Sequence, residues 1–230
     1  MSQSYKGKLF VYVQGRFANR QTGQVFHDHP SGRFIVTDNI KTADVVVWTG
    51  GEDIQPHLYN ETALPVVYVS PRRDEDDLRA VGLSHNKIKI GICRGAQLLN
   101  VVPNKGTLWQ DVDNHGGCEH ECIDSETGEI VVLNSLHHQM MRPGPGAEVL
   151  CYVSRSTIKQ GWQRVWTSAN QGTLNEWDDL DPEVVWYPET KCLLFQGHPE
   201  FGHKQTTEYF WSLLDRYVLK DIPAQEEKVA

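Results

Sequence analysis

The sequence predicts an α/β fold built around a parallel sheet, and three observations indicate it. Short apolar runs recur at residues 9–13, 45–48, 66–69, 88–92, 130–133, 149–153, 184–187 and 192–196. Between the third and fourth runs lies RRDEDDLRAVGLSHN, a charged stretch with the length of a crossover helix. After the fourth run, a cysteine flanked by glycines leads into RGAQLLNV, which has helical spacing. Strand, helix, strand and helix in this order are typical of a parallel sheet.

The remaining segments predict how that sheet is completed. Residues 119–166 read as antiparallel strands joined by polar turns such as SETGE. Near the C-terminus, KQTTEYFWSLLDRYVLK predicts a helix whose apolar face contains Phe210, Leu213, Leu214 and Val218. Residues 15–44 are dominated by Gly, Asn, His and Pro, so we expect no standard first crossover helix there.

Composition excludes several classes of protein. A chain of 230 residues with 39% hydrophobic content can bury one core, which predicts a single domain over residues 1–230. A formal net charge of −8 argues against nucleic acid or an anionic membrane as the main partner. We find no run approaching the roughly 20 apolar residues of a membrane span. Five cysteines, an odd number, fit a reducing cytoplasm better than a disulfide framework.

The segment IKIGICRGAQLLNV indicates a reactive thiol. Gly91 and Gly95 stand two residues before and after Cys93, where a tight strand-to-helix turn needs close backbone approach. A helix that begins after Cys93 would stabilise its thiolate through unpaired N–H groups and the helix dipole. The alternative is a small hydrophobic residue in simple strand–helix packing. The pattern favours a nucleophile.

A thiol nucleophile needs a base, and LLFQGHPEFG contains the best candidate. His198 follows a strand-like apolar run, and Glu200 lies two residues later, on the same face of an extended backbone. A carboxylate beside an imidazole fixes its tautomer and supports its cationic form. The alternative is a loop histidine held by a local carboxylate.

A glycine pair provides a third candidate element. In VVVWTGGEDIQPHLY, a buried strand runs into Gly50 and Gly51, whose backbone N–H groups no side chain obstructs. Such amides, together with the amide of Arg94 after the nucleophile, are suited to hold an oxyanion. Most glycine pairs are only turns, so this pair indicates an oxyanion site only in combination with the Cys93 turn and the His198–Glu200 pair.

Together these segments resemble the class I glutamine amidotransferase-like superfamily, and most closely its γ-glutamyl hydrolase branch, which includes γ-glutamyl-GABA hydrolases (peptidase family C26). The matching segments are TGGEDIQPHLYNE, RRDEDDL, IKIGICRGAQLLNV, GTLWQDV, NSLHHQM and FQGHPE, which fall within residues 49–200. The resemblance implies a flavodoxin-like three-layer fold with a central, mostly parallel sheet and a small antiparallel β extension.

The resemblance also implies roles for individual residues. Cys93 would be the nucleophile, His198 the general base and acid, and Glu200 its orienting carboxylate. Gly51 and Arg94 would supply oxyanion amides. The glutamyl half of the substrate would be received, largely through backbone, by Gly50, Gln97, Ser135, His137, His138 and Gln139.

Three further features complete the expectations. HGGCEHEC brings His115, Cys118, His120 and Cys122 close together, but a zinc site usually needs a second pair elsewhere, so we expect a strand and no metal. In RRDEDD we expect a solvated helix face, although Asp74 and Asp77 could also position the first helical turn. Compared with the family, residues 15–44 look reduced, which would uncover one side of the sheet. Asn104-Lys105-Gly106-Thr107 replaces the family's Gly-Gly-Thr-Leu, a change we expect to be harmless.

The resulting functional hypothesis is hydrolysis of a γ-glutamyl amide through a thioester, without metal or organic cofactor. The first alternative is a glutaminase that passes ammonia from glutamine to a separate synthetase or amidoligase partner. The second is a binding module that keeps the fold without catalysis. The sequence leaves the leaving amine unidentified and a homodimer open.

Overall fold

The structure is a computed structural model that describes residues 7–15, 19–154, 164–165 and 179–220. No helix within these residues is both long and apolar enough to cross a membrane. Four α-helices lie in the described chain: α1 (Asn19–His27), α2 (Pro71–Leu83), α3 (Arg94–Val101) and α4 (Lys204–Leu214). The strands are β1 (Leu9–Gln14), β2 (Phe34–Thr37), β3 (Val45–Trp48), β4 (Ile88–Ile92), β5 (Thr107–Trp109), β6 (Asp111–Val112), β7 (Gly116–Asp124), β8 (Ile130–Leu136), β9 (Met140–Arg142), β10 (Glu148–Val153), β11 (Arg164–Val165), β12 (Pro182–Tyr187) and β13 (Cys192–Phe195).

Nine of these strands form one sheet in the order β2-β1-β3-β4-β13-β12-β10-β7-β8. The first five strands pair in parallel, and β13, β12, β10, β7 and β8 then pair antiparallel. The parallel half has the 2-1-3-4-5 order of flavodoxin-like sheets, which bind ligands beyond the carboxyl ends of their strands. The predicted α/β class is confirmed, and the antiparallel extension continues the central sheet.

The centre of the sheet is buried on both faces. All four residues of β3 are fully buried: Val45 and Val47 belong to one core, whereas Val46 and Trp48 belong to the other. The first core contains side chains of α1 and α4, and the second contains side chains of α2 and α3. Strands covered by helices on both faces read as continuous apolar runs, which explains the VVVW and LLF segments. This is the three-layer arrangement.

The prediction that residues 15–44 lack a first crossover helix is wrong. Helix α1 connects β1 to β2 and packs on both strands. Phe26 is fully buried, with its ring edge-on to Phe34 at 5.5 Å and to Phe210 at 5.8 Å between ring centroids. The sequence NRQTGQVFH has weak helix propensity, so burial of this one phenylalanine face overrides the local signal. That side of the sheet is therefore covered.

The predicted strand at residues 66–69 is also wrong. This segment forms turns and a single parallel bridge between Val69 and Asp53, outside the named strands. Val66 and Tyr68 are exposed, so the apolar run has no core to enter. Its role is local, because the Tyr68 N–H donates to the Asp53 carboxylate at 2.9 Å.

The predicted C-terminal helix is confirmed. Helix α4 continues into a π-helical segment at Asp215–Leu219, and Phe210, Leu213, Leu214 and Val218 are all buried in one core. The apolar spacing that predicts a helical face therefore identifies the buried face, because side chains three or four residues apart lie on one side of a helix.

Candidate active site

Cys93 lies on a sharp turn between β4 and α3. Its backbone has φ 49° and ψ −111°, a conformation that a non-glycine residue rarely adopts. The two flanking glycines are required by close packing: a Cβ on Gly91 would lie 2.5 Å from Ala96 backbone atoms, and one on Gly95 would lie 2.2 Å from the Trp48 carbonyl oxygen. The glycines therefore let helix and strands approach, and Cys93 sits at the point of strain.

His198 is positioned against Cys93 at the end of β13. Its Nδ1 lies 2.8 Å from Oε1 of Glu200, whose side chain is fully buried, and its ring stacks on Phe201 with 4.5 Å between centroids. Burial favours the neutral imidazole, but hydrogen bonding and charge attraction to Cys93, and then to Glu200, outweigh it and raise the pKa of His198 to about 10. A protonated imidazole beside a thiol stabilises the thiolate, the reactive form of cysteine.

Three other cysteines, Cys118, Cys122 and Cys192, have raised pKa values, so their thiols stay neutral. Burial raises the pKa of Cys118 and of Cys192, and a hydrogen bond with Cys151 together with burial raises that of Cys122. Cys93 is also buried, with 6% of its surface exposed. Cys93 differs in contacting His198, whose pKa is raised, whereas burial lowers the pKa of His120, the imidazole beside Cys118, to about 4.

Asn134 fixes the backbone of His198 and was not identified from the sequence. Its side-chain Nδ2 donates to the His198 carbonyl at 2.9 Å, and its Oδ1 accepts from the His198 N–H at 2.8 Å. The Asn134 N–H in turn donates to the hydroxyl of Thr206 on α4. This double hydrogen bond joins β8 to the catalytic histidine candidate. The residue directly precedes the SLHHQ segment, so its position in NSLHHQM is the signal for it.

Arg73 holds the glycine loop after β3. Its guanidinium donates to the carbonyl oxygens of Gly50, at 2.7 Å, and Thr49, at 3.0 Å, and pairs with Glu52 at 2.9 Å. Because the peptide is planar and trans, a Gly50 carbonyl that faces Arg73 turns the N–H of Gly51 to the opposite side. Arg73 thus sets the orientation of the amide that the sequence nominates for the oxyanion.

The expected solvated face of RRDEDD is wrong for the first and the last of its four carboxylates. Asp74 and Asp77 are each 1% exposed and form short ion pairs with the guanidinium of Arg94, which is also 1% exposed. Asp74 also accepts from the Gln55 N–H at 3.0 Å. Arg94 is the first residue of α3, so α2 anchors the start of the helix that carries the candidate oxyanion amide. The sequence also allows Asp74 and Asp77 to position the first turn of their own helix. The contacts show that they position a first helical turn, but that of α3.

The segment Ser135–Gln139 is tied to α3, the helix that begins after Cys93. Gln97 donates through Nε2 to the Gln139 carbonyl at 3.0 Å. The Ser135 hydroxyl donates a hydrogen bond to the His115 carbonyl, and the ring of His137 is buried. The ring of His138 is 40% exposed and lies 3.1 Å from both carboxylate oxygens of Asp53. The side chains of Ser135 and His137 are thus engaged internally, and the His137 N–H donates to the His115 carbonyl at 3.0 Å.

An open cleft of about 1120 Å³ lies beside the glycine loop. Its lining includes Gln14, Gly15, Val36, Asp38, Glu52 and Arg73. The residues from β1 and β2 lie at the carboxyl ends of those strands, and Cys93 and His198 are outside the lining. The cleft meets the candidate active site at Glu52, which directly follows Gly51.

Comparison with known proteins fits this architecture. The sequence profile of the family described as Peptidase C26 matches residues 31–158. The chain belongs to the peptidase C26 family. Within it, the chain is 33% identical over 183 residues to the glutamine amidotransferase-like protein YvdE of Lactococcus lactis subsp. lactis (strain IL1403), covering 66% of this chain and 70% of YvdE. The family match and the similarity to YvdE together support an amide hydrolase of the class I glutamine amidotransferase type for this chain.

Solved structures show that this peptidase C26 member shares its fold with more distant proteins. PurLQS of Thermotoga maritima aligns with a TM-score of 0.56 at 15% identity, over 91% of this chain and 99% of that one. A glutamine amidotransferase of the same organism aligns with a TM-score of 0.54 at 12% identity, over 94% and 86% of the two chains. At these identities the likeness concerns the fold.

Proposed function

We propose that the protein is a cysteine-dependent hydrolase that cleaves the γ-glutamyl amide bond of a small compound through a thioester. The observation that carries the proposal is the arrangement of Cys93, His198 and Glu200 around the strained turn. The Cys93 thiolate attacks the γ-carbonyl carbon, and the oxyanion is held by the backbone amides of Gly51 and Arg94. His198 then donates its proton to the leaving amine.

The second half of the reaction uses the same residues. After the amine leaves, neutral His198 takes a proton from water, which attacks the thioester carbon and releases glutamate and the Cys93 thiolate. Glu200 keeps Nδ1 of the imidazole hydrogen-bonded, so that Nε2 faces the reacting atoms in both steps. No metal takes part in these steps.

The substrate divides between two regions of the site. In the proposal, the glutamyl half is received by Gln97, Gly50, His138 and the backbone of Ser135–Gln139. Gln97, one helical turn beyond Cys93, is hydrogen-bonded to this segment, which supports the assignment. The amine half extends toward the cleft at Gly15, Val36 and Asp38, whose large open volume supports tolerance of different amines.

The second candidate is a glutaminase that delivers ammonia to a separate synthetase or amidoligase. It is favoured by the names of two similar proteins: YvdE is called glutamine amidotransferase-like, and the Thermotoga maritima neighbour is called a glutamine amidotransferase. The chemistry at Cys93 is the same in both candidates, and the difference lies in the leaving group and in the need for a partner.

A substrate panel with the purified protein alone separates the two. We expect several γ-glutamyl amines to be hydrolysed at rates well above free glutamine, and N-acetyl or α-ester derivatives to lose roughly 10- to 100-fold in kcat/KM for each α-group that is blocked, since buried polar groups then lack partners. The readout is glutamate release.

Two results of this panel would overturn the hydrolase proposal. In one, rates depend on the amine but not on the α-groups. In the other, the protein is inactive on every γ-glutamyl compound until a second protein is added, which favours the glutaminase candidate. The Cys93→Ala variant serves as the blank for contaminating hydrolases.

A further inference from the structure

A cluster of buried imidazoles and carboxylates lies in the antiparallel half of the sheet, outside the candidate catalytic residues. His115 precedes β7, His120 lies within β7, His137 follows β8, and Glu183 is in β12. Glu183 is 0% exposed, and neither of its carboxylate oxygens makes a hydrogen bond. Among the described residues, the groups within ion-pair distance of that carboxylate are His115 at 3.3 Å and His137 at 3.5 Å.

The donor atoms of this cluster are already spaced as metal ligands. Nδ1 of His115 lies 3.1 Å from Nε2 of His120 and 3.3 Å from Oε1 of Glu183. One ligand atom from each of these three residues lies within 4.8 Å of the other two. Around a tetrahedral zinc with bonds of 2.0–2.1 Å, neighbouring ligand atoms are about 3.3 Å apart. The three side chains therefore need little rearrangement to hold an ion.

The ring nitrogens of His115 and His137 that face away from Glu183 also support a metal site. Nε2 of His115 lies 3.3 Å from Oδ2 of Asp181, and Nδ1 of His137 lies 2.8 Å from the Gln139 carbonyl. Histidines that bind a metal usually donate their other N–H to a carboxylate or a backbone carbonyl in this manner. When the protons are on Nε2 of His115 and Nδ1 of His137, the other nitrogen of each ring directs its lone pair at the negatively charged Glu183 carboxylate. A bound cation removes the repulsion between these lone pairs and the carboxylate.

We propose that His115, His120 and Glu183 bind one zinc ion, with His137 beside the fourth coordination position. Two imidazoles and a carboxylate are a common zinc ligand set. This proposal departs from the sequence analysis, which expects no metal and weighs only a set of His115, Cys118, His120 and Cys122. The Cys122 side chain is instead buried in the core, and Cys118 donates to the Asn114 carbonyl, with its sulfur 3.6 Å from Nε2 of His120.

The proposed ion would tie the sheet to the glutamyl side of the site. Its ligands come from the residue before β7, from the middle of β7 and from β12. His137 shares the Gln139 carbonyl with Gln97, one helical turn beyond Cys93. The ion would then stabilise the Ser135–Gln139 segment without touching the reacting atoms. Its role is structural, and the thioester chemistry proceeds through Cys93 and His198.

The test uses the full chain without a histidine tag, stripped with a chelator and titrated with Co²⁺ and Zn²⁺. We expect one Co²⁺ per chain, visible absorption bands of tetrahedral Co²⁺, their loss on addition of Zn²⁺, and a rise in Tm with either metal. If the stripped protein is folded but binds neither Co²⁺ nor Zn²⁺ stoichiometrically, the proposal is wrong. This measurement uses the wild-type chain, so its outcome does not depend on whether a variant folds.

Two variants test the ligand set. Glu183→Gln keeps the shape of the side chain and should weaken Co²⁺ binding by about 100-fold or more, since even changes next to metal ligands cost 10- to 100-fold. Cys118→Ser is the control on β7, the strand that also carries the proposed ligand His120, and it should bind Co²⁺ as the wild type does. Unchanged binding by Glu183→Gln, or loss of binding by Cys118→Ser, would contradict the assignment.

Discussion

Replacing Cys93 with alanine is expected to abolish γ-glutamyl turnover, with a fall in kcat on the order of 10⁴-fold or more. The change removes the only atom that can form the proposed thioester, whereas the strained turn is maintained by Gly91, Gly95 and the Cys93 N–H, which donates to the Phe195 carbonyl at 2.8 Å. The measurement is steady-state glutamate release together with Tm.

The matched control is Cys118→Ala, which removes a thiol that contacts the Asn114 carbonyl and His120 and should keep the wild-type rate. Adding His198→Ala to Cys93→Ala should lower kcat hardly further, because members of one catalytic unit act non-additively. If the single Cys93→Ala variant retained a rate near wild type, the nucleophile would be another group and the proposed mechanism would be wrong.

Asp74→Ala is expected to be the most destabilising single change outside the apolar core. It removes one of two carboxylates that neutralise the buried Arg94 guanidinium, and breaking such a pair costs about 3–5 kcal/mol in the free energy of unfolding. The Gln55 N–H also loses its acceptor. The measurement is urea denaturation at neutral pH.

Glu75→Ala is the control on the same helix. Glu75 is 67% exposed and lies 3.7 Å from Arg79, so its removal should change the free energy of unfolding by less than about 1 kcal/mol. If Asp74→Ala proves too unstable to purify, Asp74→Asn retains the shape and should show a smaller loss of the same sign. Equal stability of Asp74→Ala and Glu75→Ala would contradict a buried anchor for α3.

The sequence predicts the parts of the site that depend on local geometry. The spacing of Gly91, Cys93 and Gly95 encodes a turn, because only glycine permits the backbone approaches measured there. The predicted contact of His198 with Glu200 is also local, although Glu200 lies in a 3₁₀ turn at Pro199–Phe201 and not on the extended backbone that the sequence analysis assumes. Buried strands such as VVVW are apolar throughout, which is why the parallel centre of the sheet is predictable.

The parts that were missed depend on contacts between distant segments. Helix α1 has a weak local signal and is stabilised through Phe26 by residues from β2 and α4. A run of charges such as RRDEDD is usually solvated, and its burial is visible only once Arg94 is placed beside it. Glu183 lies far along the chain from His115 and His120, so no spacing rule could join the three into one cluster.

The covalent intermediate tests the central claim most directly. The purified protein is mixed with a γ-glutamyl amine, quenched in acid at early times, digested and analysed by mass spectrometry. We predict a glutamyl group attached as a thioester to Cys93, which forms before glutamate appears, is removed by hydroxylamine and is missing from Cys93→Ala. Turnover with no adduct on Cys93, or with the glutamyl group on another residue, would contradict a Cys93 thioester mechanism.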